Sequence, residues 1–581
     1  MEQFFPFLEW ARRYKKAWFS QDIVAGFTVG IVLVPQGMAY AMIAGLPPVY
    51  GLYAALVPVL VYAFLGTSRQ LSVGPVALDS LLVAAGLGTL ALEGVEAYAA
   101  MAVFLAFFVG VVQWVLGVFR LGFLVNFLSR PVISGFTSAA AVIIIFSQLK
   151  HLLGLDVPNS SHVQELVVPL WNSLERLNAW DLIIGLAGII LLLLFRKWNR
   201  KFPAILLVVV LGILAVYLGN LELQGVHVVG RIPKGLPIFT IPGISWANAL
   251  HVWPIALTLA LVGYMETISI GKSLEEKDGR ETVRPNQELI ALGWANILGS
   301  LFRSYPITGS FSRSAVNLSA GGRTNLASVF SVILVVLALV FLTPVLYYLP
   351  KAILASIIMV SVFGLIDLAY PKKLWHYRKD EFGILMVAFC VTLFIGIPQG
   401  ILVGVLFSLI LMVYKSSKPH FAVLGRIKGS DYYRNTDRFA QEIEVRPELL
   451  IVRFDAPLYF GNKEYFKRRL RAEIQKKTPG LRAVILNAES VNYIDSSATQ
   501  MLVRLIDELH TDNIKFYMAR ATGPTRDAIF SSGIIEVLER EYLFARTTEA
   551  VRHFDGDTVS TALEERVAYE NRTKRNAGYK K

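Results

Sequence analysis

Glu266 is a lone carboxylate in an apolar run. Residues His251–Lys272, HVWPIALTLALVGYMETISIGK, hold no other acid. A carboxylate near mid-membrane costs about 2.5–3.5 kcal/mol on insertion scales, so it faces water, a partner or a translocation path. Two further stretches place polar groups among apolar ones: Leu71–Ser80 (LSVGPVALDS) and Tyr305–Ala315 (YPITGSFSRSA). Each reads as a short extended piece, a break at Gly74 or Gly309, and a helix that starts with small residues. Interrupted segments at corresponding places in two halves point to an inverted-repeat transporter with its site at the breaks.

A helix that starts inside a membrane presents unpaired N–H groups and about half a positive charge. Two such ends aimed at one spot make an anion site. Arg313, just after the second break, adds a full charge and donors suited to an oxyanion. The competing reading is an arginine that snorkels to the membrane surface. Ser310 and Ser312 supply hydroxyl donors or cap the helix, and the two roles are compatible. Arg313 and two helix ends total about +2, so a protonated Glu266 leaves a site matched to a dianion. Ionised, Glu266 cancels half of that charge. The expectation is anion–proton symport with Glu266 as the proton carrier; the alternative is a structural ion pair with Arg313 or a nearby group.

Asp79 is the only acid between Arg69 and Glu93. It either steadies the N-terminus of the first half-helix or holds a second cation or proton. Ionised and facing the site it would repel an anion, which favours the first role. Gln36 and Tyr40, four apart, share one helical face. They either hydrogen-bond an anion or pack the helix.

These residues need a membrane protein to position them. The chain has 581 residues, 55% hydrophobic and 17% charged, with mean hydropathy +0.53. That is less charge than a soluble chain of this length carries. Uncharged runs of spanning length recur: Ile23–Thr67, Ala99–Phe119, Pro131–Leu149, Leu182–Phe195, Phe202–Leu218, Asn325–Pro350 and Phe382–Tyr414. A span needs about 20 residues, so several runs hold two passes. The expected class is a polytopic α-helical membrane protein. Its net charge of +13 sits largely in loops at Arg12–Lys16, Arg196–Lys201, Lys372–Lys379 and Lys415–Lys428. Basic loops orient a membrane protein, so nucleic acid is not an expected partner and both termini are expected to be cytoplasmic. Residues 1–20 lack a cleavage pattern and read as an interfacial segment. The single cysteine, Cys390, excludes an internal disulfide and a cysteine-based metal site.

The remaining boundaries follow composition. Residues 21–415 form the membrane domain and 416–438 a polar, basic linker. Residues 439–555 alternate strand-like runs (Leu449–Phe454, Ala483–Leu486, Ile514–Met518) with helix-like ones, as a small α/β domain does. Residues 556–581 read as a flexible charged tail.

Taken together, PQGMAYAMIAGLPPVYGLY (Pro35–Tyr53), GTSRQLSVGPVAL (Gly66–Leu78), METISIGKSL (Met265–Leu274), ELIALGWANILGSLF (Glu288–Phe302) and YPITGSFSRSAVN (Tyr305–Asn317) resemble the SulP, or sulfate permease, family of anion transporters. The C-terminal region resembles a STAS domain. The last motif looks most like the plant sulfate transporters of the family. The resemblance implies about fourteen segments in a 7+7 inverted repeat, with the third and tenth broken. It also implies a homodimer in which a core domain moves against a gate domain in an elevator-like cycle. The anion would lie between Val76 and Ala77 of the third segment and Ser312 and Arg313 of the tenth, with Gln36 and Tyr40 from the first. Glu266 falls where proton-coupled members carry an acid, and Asp79 departs from the small or apolar residue expected at its place. In the STAS-like region, NYIDSSATQML (Asn492–Leu502) is similar to the phosphorylated loop of bacterial STAS proteins. Ser496 is thus a candidate regulatory site, although Asp495 and the serines also form a plain N-cap pattern.

The leading expectation is proton-coupled sulfate transport across a cell membrane. Sodium-coupled bicarbonate or dicarboxylate symport, anion exchange, and a membrane-anchored STAS signalling protein with a cytosolic partner are the alternatives. An enzyme is not expected, for the chain lacks a Walker P-loop, an H-E-x-x-H motif and a cysteine cluster. No cofactor or metal is implied.

Overall fold

In a bilayer only a helix or a closed barrel pairs every backbone group, so long apolar runs become helices. The computed structural model describes residues 5–88, 90, 92–123, 129–157, 163–198, 203–243, 246–278, 283–439 and 441–557. Among these, eight helices are long and apolar enough to span a membrane. The chain divides into two units, Met1–Ser408 and Leu409–Lys581.

The first unit opens with α1 (Phe7–Ala11), α2 (Lys16–Ile43), α3 (Pro48–Tyr53) and α4 (Val57–Leu65). Strand β1 (Ser72–Gly74) leads into α5 (Ala77–Gly88). Then come α6 (Val95–Val118), α7 (Arg130–Leu153), α8 (Val163–Asn172), α9 (Ala179–Trp198) and α10 (Ala204–Gly219). A second series starts with α11 (Trp246–Asp278) and α12 (Pro285–Ser300). Strand β2 (Thr308–Ser310) leads into α13 (Phe311–Ser319), and α14 (Leu326–Leu337) continues as α15 (Thr343–Leu346). Last are α16 (Lys351–Phe363), α17 (Ala369–Tyr377), α18 (Lys379–Phe394) and α19 (Ile397–Ser417). With α3–α4, β1–α5, β2–α13 and α14–α15 taken as single segments and the short α1, α8 and α17 set aside, the described residues hold fourteen segments in two series of seven. The third member of each series is the one broken by a strand. β1 and β2 pair antiparallel, so the two broken segments run in opposite directions, as oppositely inserted halves require.

The helices sort into two groups. In one, α2 packs on α14, α6 on α12 and α11, and α12 on α4. In the other, α7 packs on α16 and α18, and α9 on α16 and α10. Close approach needs small residues where no solvent drives helices together. A Cβ on Gly110 of α6 would come within 2.7 Å of the Gly293 carbonyl of α12. Contacts of α2 with α16 and α10, and of α5 with α7, join the groups.

The second unit adds β3 (Phe421–Ile427), β4 (Tyr433–Asn435), β5 (Ile443–Glu444), β6 (Leu449–Phe454), α20 (Lys463–Lys477), β7 (Ala483–Asn487) and α21 (Ser496–Thr511). It ends with β8 (Lys515–Ala519), α22 (Gly523–Ser531), α23 (Ile534–Leu538), β9 (Leu543–Phe544) and α24 (Thr547–Phe554). The sheet order is β4-β3-β6-β7-β8-β9, with β5 also on β3. Strands β6 to β9 are parallel and β3 is antiparallel to β6. All five residues of β7 are buried, as in a strand covered on both faces.

Two expectations change. The segment read as a linker carries β3 and β4, and Phe421–Leu424 pairs with Ile451–Phe454. Its flanking basic residues hid the apolar run FAVL. At the other end, α2 begins at Lys16, so the end of the expected interfacial segment belongs to the first span. The tail from 558 onward and Asn199–Lys201 of one basic loop lie outside the described residues.

Candidate binding site at the two broken segments

The site is built on a three-rung ladder. Ser72 pairs with Ser310, Val73 with Gly309 and Gly74 with Thr308, and all six residues are buried. β1 is followed after two residues by α5, and β2 directly by α13, so the N-termini of both helices begin at the ladder. Ser310 caps α13, its Oγ accepting from the Arg313 N–H at 3.4 Å, and lies 3.5 Å from the Ser312 hydroxyl. Side chains outside the ladder fix its position. The Ser314 Oγ accepts from the Ser72 N–H at 2.9 Å, and Asn317 Nδ2 donates to the Gln70 carbonyl at 3.0 Å. Asn296 holds the chain before β2, accepting from the Ile307 N–H at 2.9 Å.

Arg313 is fully buried, which excludes snorkelling. Its Nη1 donates to the Pro75 carbonyl at 2.8 Å, while Nε and Nη2 have no partner. Tyr40 and Tyr305 lie within its electrostatic reach, and the Ser80 hydroxyl lies 3.1 Å from the Tyr305 hydroxyl. Gln36 is buried one turn before Tyr40, and its Oε1 has no partner. Ala77, in the first turn of α5, is buried, Val76 just before it is half-buried, and Ser312 is exposed. An arginine with two unpartnered nitrogens, between two helix N-termini and beside a buried tyrosine, can take an oxyanion by charge-assisted hydrogen bonds.

The carboxyls form a separate pair, Glu266 on α11 and Asp79 on α5. Glu266 lies within electrostatic reach of Asp79, whereas the groups acting on Arg313 are Tyr40 and Tyr305. Asp79 Oδ1 and Glu266 Oε2 both lack partners. Asp79 is buried against α11, its Oδ2 3.6 Å from where a Cβ on Gly263 would stand. The same stretch of α11 grips β2. Thr308 Oγ1 donates to the Gly263 carbonyl at 2.6 Å, and Thr267 Oγ1 accepts from the Gly309 N–H at 3.1 Å. Glu266 thus sits on a helix hydrogen-bonded to the strand that leads into α13, which carries Arg313.

The sequence reading passed over Thr267, Thr308, Tyr305 and Ser80. Only their neighbours hint at them: Thr267 follows Glu266, Ser80 follows Asp79, and Thr308 and Tyr305 precede Ser310. In the second unit, Asp495 caps α21, its Oδ1 accepting from the Ala498 N–H at 2.8 Å. Ser496 is exposed at the first position of that helix.

Residues 19–388 match the sulfate permease family and residues 440–550 the STAS domain. The chloroplastic sulfate transporter 4.1 of Arabidopsis thaliana is 39% identical over 568 residues, 95% of this chain and 82% of that protein. A probable sulfate transporter of Mycobacterium tuberculosis is 32% identical over 94% of this chain and 96% of its own. The murine solute carrier 26 family member A9 anion transporter, solved in an inward-facing state, superposes with a TM-score of 0.88 at 27% identity, covering 95% of this chain and 94% of that one. The transmembrane domain of a cyanobacterial bicarbonate transporter shares the fold at 22% identity, with a TM-score of 0.59 over 68% of this chain and 98% of its own. This chain belongs to the sulfate permease family and is a polytopic membrane transporter with a C-terminal STAS domain.

Proposed function

We propose that this protein carries inorganic anions across a cell membrane, sulfate foremost, by symport with protons. The observation that carries the reading is the buried Arg313 guanidinium, with Nε and Nη2 unpartnered beside two helix N-termini. A dianion there meets about +2 of charge. The names of the relatives support sulfate as its identity. Glu266, with Asp79 beside it, takes the proton: neutralised, the pair leaves the positive charge of the anion site uncancelled.

The proposed motion is elevator-like. Gln36, Tyr40, Asp79, Glu266 and Arg313 all come from one helix group, which a rigid-body shift against the other would carry as a whole. The basic loops support cytoplasmic termini. A homodimer and a cytosolic partner of the STAS domain complete the proposal.

A second reading keeps the anion and replaces the proton by sodium. It is favoured by the hydroxyl oxygens of Thr267, next to Glu266 on α11, and Thr308 on β2, which lie 3.1 Å apart. Uptake of labelled sulfate into proteoliposomes, with pH and sodium gradients varied separately, separates the two. Flux driven by the pH gradient alone is expected. Flux indifferent to both gradients would overturn symport in favour of exchange or uniport.

A further inference from the structure

Arginines gather at one edge of the STAS sheet. β4 and β6 flank β3, with Arg434 opposite Gly425 and Arg453 opposite Ala422. Arg434, Arg438 and Arg453 line one cleft of about 310 Å³, together with His420 and Asp455.

The charges in this cleft do not balance. Asp455 is its one carboxylate among the described residues, and it is already engaged. It accepts from Arg453 Nε at 2.6 Å and Nη2 at 3.0 Å, and its Oδ2 lies 2.8 Å from His420 Nδ1. Glu489, which also acts on Arg453, is bridged to Arg520 at 2.6 Å. Asp437 stands between Arg434 and Arg438 in the chain but is exposed and not part of the cleft wall. Among the described residues the guanidiniums of Arg434 and Arg438 have no ion pair and no hydrogen bond. Three guanidiniums thus face one carboxylate, with two planar forks left open, and a phosphate fits such forks bidentately.

Position along the chain supplies the source of that phosphate. α19 has 21 residues, about 32 Å of helix, close to the ~30 Å hydrocarbon core of a bilayer. Its end at Ser417 therefore comes at headgroup depth. Tyr414 and Lys418 pair ring and ammonium there at 4.5 Å, an aromatic and basic anchor of interfacial type. His420, on the cleft wall, follows Ser417 by three residues, a reach of about 11 Å at most.

We infer that this cleft binds the phosphate of an anionic phospholipid headgroup, with Arg434 and Arg438 donating to its oxygens beside the Asp455-braced Arg453. Lipid charge at the leaflet surface then tethers this edge of the STAS domain to the membrane. Each basic residue near an anionic leaflet strengthens the attraction about five-fold, and salt weakens it. The inference does not depend on which anion the ladder site carries.

The test uses the full-length protein in phosphatidylcholine nanodiscs, with or without added phosphatidylglycerol, read by hydrogen exchange. The Thr436, Arg438 and Phe439 amides donate to the Val423 and Asn435 carbonyls, so they exchange only when this edge opens. Phosphatidylglycerol is expected to slow them about five-fold at low salt, because a bound headgroup favours the closed edge. Arg434→Gln, Arg438→Gln should lose that gain, and Arg434→Lys, Arg438→Lys should keep part of it. Arg468→Gln, Arg504→Gln removes the same charge from α20 and α21 and should keep the gain in full. All four arginines are exposed, so these variants are expected to fold, and an unchanged melting temperature in phosphatidylcholine reports it. Exchange indifferent to phosphatidylglycerol in the wild type would overturn the site. An equal loss in the α20–α21 pair would overturn it too, in favour of general surface charge. Inorganic phosphate that gives the same slowing in phosphatidylcholine alone would overturn the lipid as its ligand.

Discussion

Arg313 reaches from the second broken segment to the first, its Nη1 donating to the Pro75 carbonyl at 2.8 Å. One hydrogen bond therefore ties the two half-helix starts together, and the rest of the guanidinium remains available to a ligand. Lysine cannot do both, since its ammonium is a point charge without a planar fork. Arg313→Lys is expected to lower sulfate uptake at least ten-fold at unchanged expression, and Arg313→Gln to abolish it. A charge-assisted hydrogen bond is worth about 1.5–3 kcal/mol, which sets that scale. Initial uptake rates in proteoliposomes check it.

Gly74 stands at φ +141°, and a Cβ there would lie 3.2 Å from Arg313 Nη2. Gly74→Ala meets both a backbone region that side chains avoid and the guanidinium itself. It is expected to destabilise the protein by about 1–3 kcal/mol and to raise the KM for sulfate. Thermal melting in detergent, read alongside uptake, measures the two effects.

Glu266 and Asp79 form the candidate proton pair. Glu266→Gln mimics the protonated acid, so it should still bind sulfate but lose uptake driven by a pH gradient. Asp79→Asn should retain coupled uptake with an altered pH profile, because Glu266 remains. A Glu266→Gln protein with full pH-driven uptake would sink the proton assignment.

Asp495 caps α21 and also accepts from the Phe460 N–H at 2.8 Å. Asp495→Ala is expected to cost about 0.5–2 kcal/mol locally and to speed hydrogen exchange in the first turn of α21. Ser496→Ala should leave exchange unchanged, and Ser496→Glu should be tolerated, since a negative charge suits a helix start.

In the STAS domain, burial alone would raise the Asp455 carboxyl, but hydrogen bonds from Arg453 and His420 outweigh it and hold the group below its usual range. A depressed folded pKa adds stability that is fully present above the unfolded value, about 3.9, and is lost as pH falls through the folded one. Exchange in β6 should therefore quicken between pH 5 and pH 3 in the wild type, allowing for the intrinsic rate, on the order of the effect of a part-exposed pair. Asp455→Asn should exchange faster at neutral pH and lose that acid step.

Much of this protein is legible along the chain. Spans follow from runs of apolar residues, because the bilayer forces each run to satisfy its own backbone. The α/β domain follows from alternation, and β6, β7 and β8 lie close to where the pattern put them. The breaks at Gly74 and Gly309, and the oddity of Glu266, need no structure either. β3 escaped notice because basic neighbours mask a strand whose pairing is supplied by β6, some thirty residues on. What only the tertiary structure decided is who meets whom. Arg313 turns to Pro75, Asp79 faces α11, and Thr267 and Thr308 stitch α11 to β2. Such pairings join residues tens to hundreds of positions apart, set by helix register and the antiparallel ladder. Local propensity and polarity carry no record of them.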